Sequence, residues 1–96
     1  MANLGATIDE LFEIIAQRKV ADPTVSYTAK MIQGDLDSLL KKIGEEATEV
    51  VMATKDNDSG HLCYEAVDLL YHLFLVCERM DVSADELAAE IRKRFK

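Results

Sequence analysis

The chain of 96 residues contains no tryptophan, one proline and four glycines, and only 6% of its residues are aromatic. All-β domains need more turn-forming residues and more β-branched and aromatic side chains than this. The composition therefore predicts an all-α protein. Hydrophobic residues make up 49% of the sequence, which suffices for the modest core of a single domain covering residues 1–96.

Long apolar runs are also missing, since none reaches the roughly 20 residues that a membrane-spanning helix requires. The N-terminal segment MANLGATIDELFEII has no basic stretch followed by an apolar one, so we expect no signal peptide. The net charge is −7, and only the terminal RKRFK is basic, as expected at the C-terminus of a helix. We therefore expect a soluble, cytoplasmic protein that binds neither membranes nor nucleic acid, and that binds polyphosphates only through divalent cations.

Cysteine is scarce, with only Cys63 and Cys77. Both fall near the apolar stripe of one predicted helix, which favours buried free thiols over a disulfide framework. A zinc site that combines them with His61 and His72 is excluded because the spacings match no ligand pattern.

Capping motifs and apolar residues at helical spacing predict about five helices. Thr7 and Glu10 form a capping box at the start of the first helix, which runs to about Lys19. Ser26 caps a short second helix that stops at Gly34.

The third and fourth predicted helices are long and are joined by the turn KDNDSG, residues 55–60. Ser83 and Glu86 form a capping box for the fifth helix. We expect a bundle centred on the antiparallel hairpin of the third and fourth helices. The predicted inward stripe of the third helix consists of Leu36, Leu39, Leu40, Ile43, Ala47, Val50 and Val51. That of the fourth consists of Leu62, Ala66, Leu69, Leu70, Leu73, Val76 and Met80. Because the fourth helix is apolar over more than half its circumference, we expect a homodimer.

Two acidic motifs lie on this hairpin, E-E-x-x-E from Glu45 to Glu49 and E-x-x-D from Glu65 to Asp68. Such motifs arise by chance in a chain with 18 acidic residues, so the argument rests on geometry. A hairpin centred on Asn57 brings Glu49 level with Glu65, because both are equally distant from Asn57 along the chain. The same count brings position 46 level with position 68.

The acids of both helices also lie on the same side of the hairpin. Glu46 and Glu65 are about 80° from the centre of their stripes, and Glu49 and Asp68 are about 140° away in the same rotational sense. Four carboxylates therefore converge at the border of the core. Converging carboxylates repel one another, which a hard divalent cation such as Mg²⁺ relieves. A solvated acidic surface balanced by neighbouring lysines is the alternative.

Three segments of the sequence resemble segments of known proteins. The segments KKIGEEATEVV and EAVDLLYHL resemble the paired signature of the MazG-like all-α nucleotide pyrophosphohydrolases. The segment QRKVADPTVSYTAKMIQGD is similar to one family among them, the phosphoribosyl-ATP pyrophosphohydrolases of histidine biosynthesis. The resemblance extends from about Leu11 to Arg94. It implies Mg²⁺-dependent hydrolysis of the α–β phosphoanhydride of phosphoribosyl-ATP to phosphoribosyl-AMP and pyrophosphate. Many members are fused to the cyclohydrolase that follows, and we expect the free-standing form here.

The resemblance also implies roles for individual residues. Glu45 and Glu49 are candidates for the base that takes a proton from the attacking water. The metal-binding acids of the family match Glu46, Glu49, Glu65 and Asp68.

Substrate contacts are expected around the ADPTVSYT loop, where family members bring basic and hydroxyl groups to the nucleotide. The matching residues are Arg18, Lys19, Ser26, Tyr27, Thr28 and Lys30. Lys42 shares an arc of the third helix with the acids, and His72 comes level with it across the hairpin, so both join this group. The alternatives are surface charge for the cations, a helix cap for Ser26, and core or structural positions for the other three.

Two other functions remain open from sequence. One is a MazG-like house-cleaning enzyme that acts on a deoxynucleoside triphosphate, which the SYT-containing loop disfavours. The other is a non-catalytic helical interaction module whose acidic residues are merely solvated.

Overall fold

The computed structural model describes residues 1–95, which form five α-helices and contain no β-strand. In chain order the helices are α1 (Leu4–Arg18), α2 (Tyr27–Gln33), α3 (Leu36–Lys55), α4 (Ser59–Arg79) and α5 (Ala84–Arg92). The all-α fold and the number of helices are as predicted. Lys96, the last residue of the RKRFK tail, lies outside the described residues.

The start of α1 was predicted wrongly. Asn3 caps this helix by accepting a hydrogen bond of 3.0 Å from the backbone N–H of Ala6, so the helix begins at Leu4. Thr7 lies within the first two turns, where its hydroxyl donates to the backbone carbonyl of Asn3 at 2.7 Å. Asparagine is as good an N-cap as threonine, and the earlier of the two sites starts the helix. The predicted cap of α2 at Ser26 is confirmed.

The hairpin of α3 and α4 is the most extensive helix pair in the described chain. Asp58 caps α4 by accepting a hydrogen bond of 3.0 Å from the backbone N–H of His61. Between the helices, Asn57 has φ of 56°, in the left-handed region that asparagine tolerates better than most residues. The turn is therefore centred on Asn57, as predicted.

The inward face of α3 differs from the predicted stripe. Its buried residues are Leu39, Glu46 and Ala53, whereas Leu40 and Val51 are 45% and 58% exposed. The apolar residues of α3 cover a wide arc, and this chain covers only one edge of it. The predicted stripe follows the middle of the whole arc. Glu46 lies at the covered edge of the arc, so it is closer to the core than the prediction placed it.

On α4 the buried residues are Glu65, His72 and Leu75, while apolar residues continue around the rest of the helix. Leu70 is 39% exposed, and Cys63, expected to be buried, is exposed. The central hydrophobic cluster joins four helices through Ile15, Ile32, Leu39 and Leu75.

The fifth helix begins with the predicted capping box of Ser83 and Glu86, and it has no buried residue. Within residues 1–95, no helix combines the length and the apolar character needed to cross a membrane.

Candidate metal centre

Side chains of α3 and α4 meet in two clusters that combine carboxylates with a histidine. In each cluster, one potential ligand atom from every residue lies within 4.8 Å of the others. The inner cluster consists of Glu46, Asp68 and His72, and the outer cluster of Glu49, His61 and Glu65.

The clusters reproduce the register that the hairpin predicts. Glu46 meets Asp68 and Glu49 meets Glu65, the two pairs that are equally distant from Asn57. Helical geometry alone thus brings the four acids together in pairs, whereas their role as metal ligands stays a prediction. Glu45 is exposed and belongs to neither cluster.

Glu46 holds the least solvated carboxylate of the inner cluster, with the residue only 6% exposed. Its Oε1 lies 2.7 Å from Nδ1 of His72, a distance that on its own would indicate an ion pair. The ring N–H is instead directed at the backbone carbonyl of Asp68, 2.9 Å from Nδ1. Oε1 is buried, and it accepts no hydrogen bond because the ring N–H points elsewhere. This is unfavourable unless another partner binds there.

The electrostatic surroundings of Glu46 also indicate that its carboxylate needs a further partner. Burial, followed by a hydrogen bond with Asp68 and the negative charges of Asp68 and Glu65, raises the pKa of Glu46 from its ordinary 4.5 to about 7. The positive charge of Lys42 opposes this rise. Without a cation, Glu46 is therefore mostly protonated only below about pH 7, well above the range in which an ordinary glutamate ionises. Hard carboxylate oxygens with one buried, unpartnered oxygen fit a divalent cation that replaces this proton.

The outer cluster is more open to solvent. The Glu65 side chain is 11% exposed and that of His61 is 40% exposed, with 3.3 Å between Nε2 of His61 and Oε1 of Glu65. Glu49 is exposed and completes this cluster from α3. The zinc patterns that combine histidine with cysteine do not predict a role for His61 in this cluster. Its position four residues before Glu65, one helical turn away, is the signal that would have found it.

The predicted substrate residues of α2 contact other side chains. The Tyr27 hydroxyl lies 2.8 Å from Nε2 of His72. Thr28 is 3% exposed, and its hydroxyl is hydrogen-bonded to the hydroxyl of Tyr71. Ser26 accepts a hydrogen bond from the backbone N–H of Ala29. The structure thus gives each of these three residues a structural contact, and brings Tyr27 next to the inner cluster.

The predicted cationic residues divide into two groups. Lys42 is exposed on α3 and close enough to Glu46 to influence its pKa. Lys19 is paired with Asp81 at 3.4 Å and also donates to the carbonyl of Glu78 at 3.3 Å. Glu78 lies about 15 Å beyond Asp68 along α4 at 1.5 Å per residue, so the structure does not bring Lys19 to either cluster. The remaining two, Arg18 and Lys30, are exposed.

Asp68 also faces the outside of the hairpin, where its side chain is 39% exposed. There it borders an open, mostly apolar cavity of about 470 Å³ between α1 and α4, which Tyr64 and Val67 also line. The half-buried Asp68 and the exposed Glu49 therefore make the clusters accessible to a ligand in solution, while Glu46 and Glu65 form their buried side.

The sequence is similar to those of known proteins over nearly its whole length. The family model described as phosphoribosyl-ATP pyrophosphohydrolase matches residues 8–95. A relative in Trichlorobacter lovleyi is 46% identical over 88 residues, which cover 92% of this chain and 82% of that protein. Relatives in Nitrosomonas eutropha and Haloarcula marismortui are 39% and 40% identical, over 98% and 94% of this chain and 80% and 94% of their own lengths. All three are named phosphoribosyl-ATP pyrophosphatase.

Proposed function

The chain belongs to the phosphoribosyl-ATP pyrophosphohydrolase family, and we propose that it hydrolyses the α–β phosphoanhydride of phosphoribosyl-ATP in histidine biosynthesis. The products are phosphoribosyl-AMP and pyrophosphate. The observation that carries this proposal is the family match over residues 8–95, on a fold whose two central helices bring four acids together. A cytoplasmic location is expected for an enzyme that consumes this nucleotide.

We further propose that Mg²⁺ is the cofactor. The ligands would be Glu46 and Asp68 in the inner cluster and Glu49 and Glu65 in the outer one. When bound, Mg²⁺ neutralises charge on the phosphate oxygens and lowers the pKa of a coordinated water. The unpartnered Oε1 of Glu46 supports this assignment, because a carboxylate oxygen buried without a hydrogen bond is otherwise unfavourable.

The reaction requires water to attack one phosphorus of the α–β bridge while the bond from that phosphorus to the bridging oxygen breaks. A carboxylate that accepts the proton of this water must reach solvent and be ionised near neutral pH. Glu49 is exposed and adjoins Glu65, which makes it the first candidate for this base. Glu45 is exposed on the same helix but lies outside both clusters, which makes it the second.

In this proposal the exposed cationic side chains bind the phosphates and the rest of the nucleotide. Lys42 lies near Glu46, where its ammonium group can pair with a phosphate oxygen. Arg18 and Lys30 are exposed on either side of the loop that leads to Ser26, and we propose that they contact the more distant parts of the nucleotide. Lys19 has acidic partners within the chain, so its contribution to substrate binding requires breaking the pair with Asp81.

We also propose that the protein is a homodimer. Apolar residues of α1 and α4 line an open groove on the outside of the hairpin, among them Leu4, which is 74% exposed, and Val67, which is 58% exposed. A contiguous groove of exposed apolar side chains is typical of an interface in a small protein. The symmetric occupant of such a surface is a second copy of the same chain.

The test of the function is pyrophosphate release by the purified protein with and without Mg²⁺. Phosphoribosyl-ATP is compared with ATP, dUTP and dCTP. We expect turnover of phosphoribosyl-ATP only, with a loss of at least about 100-fold in the Glu49→Gln variant, because this change removes both a proposed Mg²⁺ ligand and the first candidate for the general base. Glu13→Gln, which removes an exposed acid of α1, is the matched control and should retain full activity.

Other outcomes separate the alternatives. Turnover of a deoxynucleotide instead of phosphoribosyl-ATP would indicate a house-cleaning enzyme with the same site. A folded protein that releases pyrophosphate from none of these substrates would contradict an enzymatic function.

A further inference from the structure

His72 lies at the junction of α2, α3 and α4 and is only 3% exposed. Its Nδ1 is 2.9 Å from the backbone carbonyl of Asp68, one helical turn earlier. A carbonyl oxygen can only accept a hydrogen bond, so Nδ1 must carry the proton. The geometry therefore fixes one end of the imidazole as a donor.

The other end of the ring faces α2. Nε2 is 2.8 Å from the hydroxyl oxygen of Tyr27. A neutral imidazole with its proton on Nδ1 has a lone pair on Nε2, so the Tyr27 hydroxyl donates to it. The rings of Tyr27 and Tyr71 both meet His72 edge to face, with centroids 5.9 and 5.1 Å away, which restrains the plane of the imidazole.

Both ring nitrogens are consequently occupied, although His72 belongs to the inner cluster. The imidazole is thus unsuited to bind a cation or a phosphate directly. What it does contact is Glu46, whose Oε1 lies 2.7 Å from Nδ1 and keeps its lone pairs free of hydrogen bonds. The imidazole therefore packs directly against this carboxylate.

We propose that Tyr27 and His72 form a positioning pair that holds the Glu46 carboxylate ready for a divalent cation, so that a residue of α2 sets the metal affinity of the α3–α4 hairpin. Neither residue is itself a ligand. The proposal rests on the proposed function only in treating Glu46 as a metal-binding residue.

The Tyr27 hydroxyl acts by selecting the tautomer of His72. Without this donor, the Nε2 lone pair would be buried with no partner, and the tautomer with its proton on Nε2 would gain population. In that tautomer the Nδ1 lone pair faces the Asp68 carbonyl and Glu46 Oε1, and both contacts become repulsive once Glu46 is ionised, which is the form that binds a cation. The imidazole and the carboxylate would then move apart, and Glu46 would lose its fixed position.

The experiment compares Tyr27→Phe with Tyr71→Phe. Each variant loses one hydroxyl from a tyrosine that touches His72, but the Tyr71 hydroxyl is bonded to Thr28 and not to the imidazole. Mg²⁺ and Mn²⁺ affinities are measured by calorimetry without substrate. We expect Tyr27→Phe to bind both ions about 10-fold more weakly or worse, as is usual when a residue that orients a metal ligand is lost. Tyr71→Phe should bind them like the wild type.

The tautomer is read directly from ¹⁵N NMR of the His72 ring. The wild type should show the proton on Nδ1, and Tyr27→Phe a mixture of tautomers. Equal metal affinities in the two variants would overturn the proposal, as would a wild-type ring with its proton on Nε2. A large shift of the Nε2 resonance on addition of a diamagnetic ion would also overturn it, because His72 would then be a ligand.

The same measurements distinguish this proposal from the proposed function. A wild type that binds Mg²⁺ more tightly than Tyr27→Phe but does not hydrolyse phosphoribosyl-ATP would reject the function and leave the pair standing. An active wild type whose metal affinity survives in Tyr27→Phe would reject the pair alone. A wild type that binds no divalent cation would reject both.

Discussion

Protonation of Glu46 links the candidate metal centre to the stability of the fold at the scale of a single residue. The pKa of this group rises from its ordinary 4.5 to about 7 in the folded chain, mainly because the carboxylate is buried. The protonated form is thus favoured by folding. Its stabilising contribution is complete below the unfolded pKa near 4.5 and is lost as the pH rises through about 7.

We therefore expect the metal-free protein to become less stable between pH 5 and pH 8, by an amount on the order of 2 kcal/mol from this residue. Mg²⁺ should oppose this loss, and its stabilising effect should be larger at pH 8 than at pH 5.5. Thermal unfolding in EDTA and in Mg²⁺ across this range measures both effects. Glu46→Gln, which cannot titrate, should flatten the profile, and an unchanged profile in this variant would contradict the assignment.

His61 adds an imidazole to the carboxylates of the outer cluster. An imidazole nitrogen beside the carboxylates of Glu49 and Glu65 favours transition metals such as Co²⁺, whereas Mg²⁺ prefers oxygen ligands alone. We expect His61→Gln to weaken Co²⁺ binding more than Mg²⁺ binding, as measured by calorimetry and by the visible spectrum of bound Co²⁺. Equal weakening of the two ions would mean that His61 only pairs with Glu65 on the helix surface.

At the scale of elements, the α3–α4 hairpin positions every residue of both clusters, and its turn depends on Asn57. The φ of 56° at this residue lies in a region that is unfavourable for most side chains. Asn57→Ala should lower the free energy of unfolding by about 1 kcal/mol. Asn57→Gly should be neutral or slightly stabilising. Urea denaturation of the two variants checks this, and an Asn57→Ala variant as stable as the wild type would show that the turn relaxes.

The same hairpin shows what local sequence patterns can establish. Helical periodicity and the position of the turn sufficed to pair Glu49 with Glu65 across two helices. The exposure of Leu40 and Val51 could not be predicted, because it depends on which part of a wide apolar arc the rest of the chain covers. Helical periodicity predicts which residues form the apolar arc, but it does not predict which other helices pack against it.

Contacts between distant segments lie further beyond such patterns. His72 was placed at the edge of the site beside Lys42, whereas the structure buries it against Glu46 and Tyr27. The contact with Tyr27 depends on how α2 packs onto α4, and no spacing along the chain encodes that arrangement. The contacts of individual side chains were therefore harder to predict from sequence than the convergence of the acids.

At the scale of the whole molecule, the exposed outer face of α1 and α4 is the feature that a single chain leaves incomplete. Apart from Thr7 and Glu10, the groove between them is lined by apolar residues, namely Leu4, Ile8, Leu11, Ile14, Val67, Leu70 and Phe74. Burying such side chains stabilises an interface by roughly 25 cal/mol per Å² of apolar surface, before the losses of association. A symmetric contact between two copies would cover this face on both chains at once.

A charge introduced into this face should therefore separate the subunits. We expect light scattering to give about twice the chain mass of 10.7 kDa for the wild type, and the monomer mass for Val67→Glu at the same concentration. Val20→Glu, which alters a valine that is 86% exposed in the loop after α1, is the matched control and should remain dimeric. A wild type of 10.7 kDa would reject the homodimer, and a dimeric Val67→Glu would place the interface elsewhere.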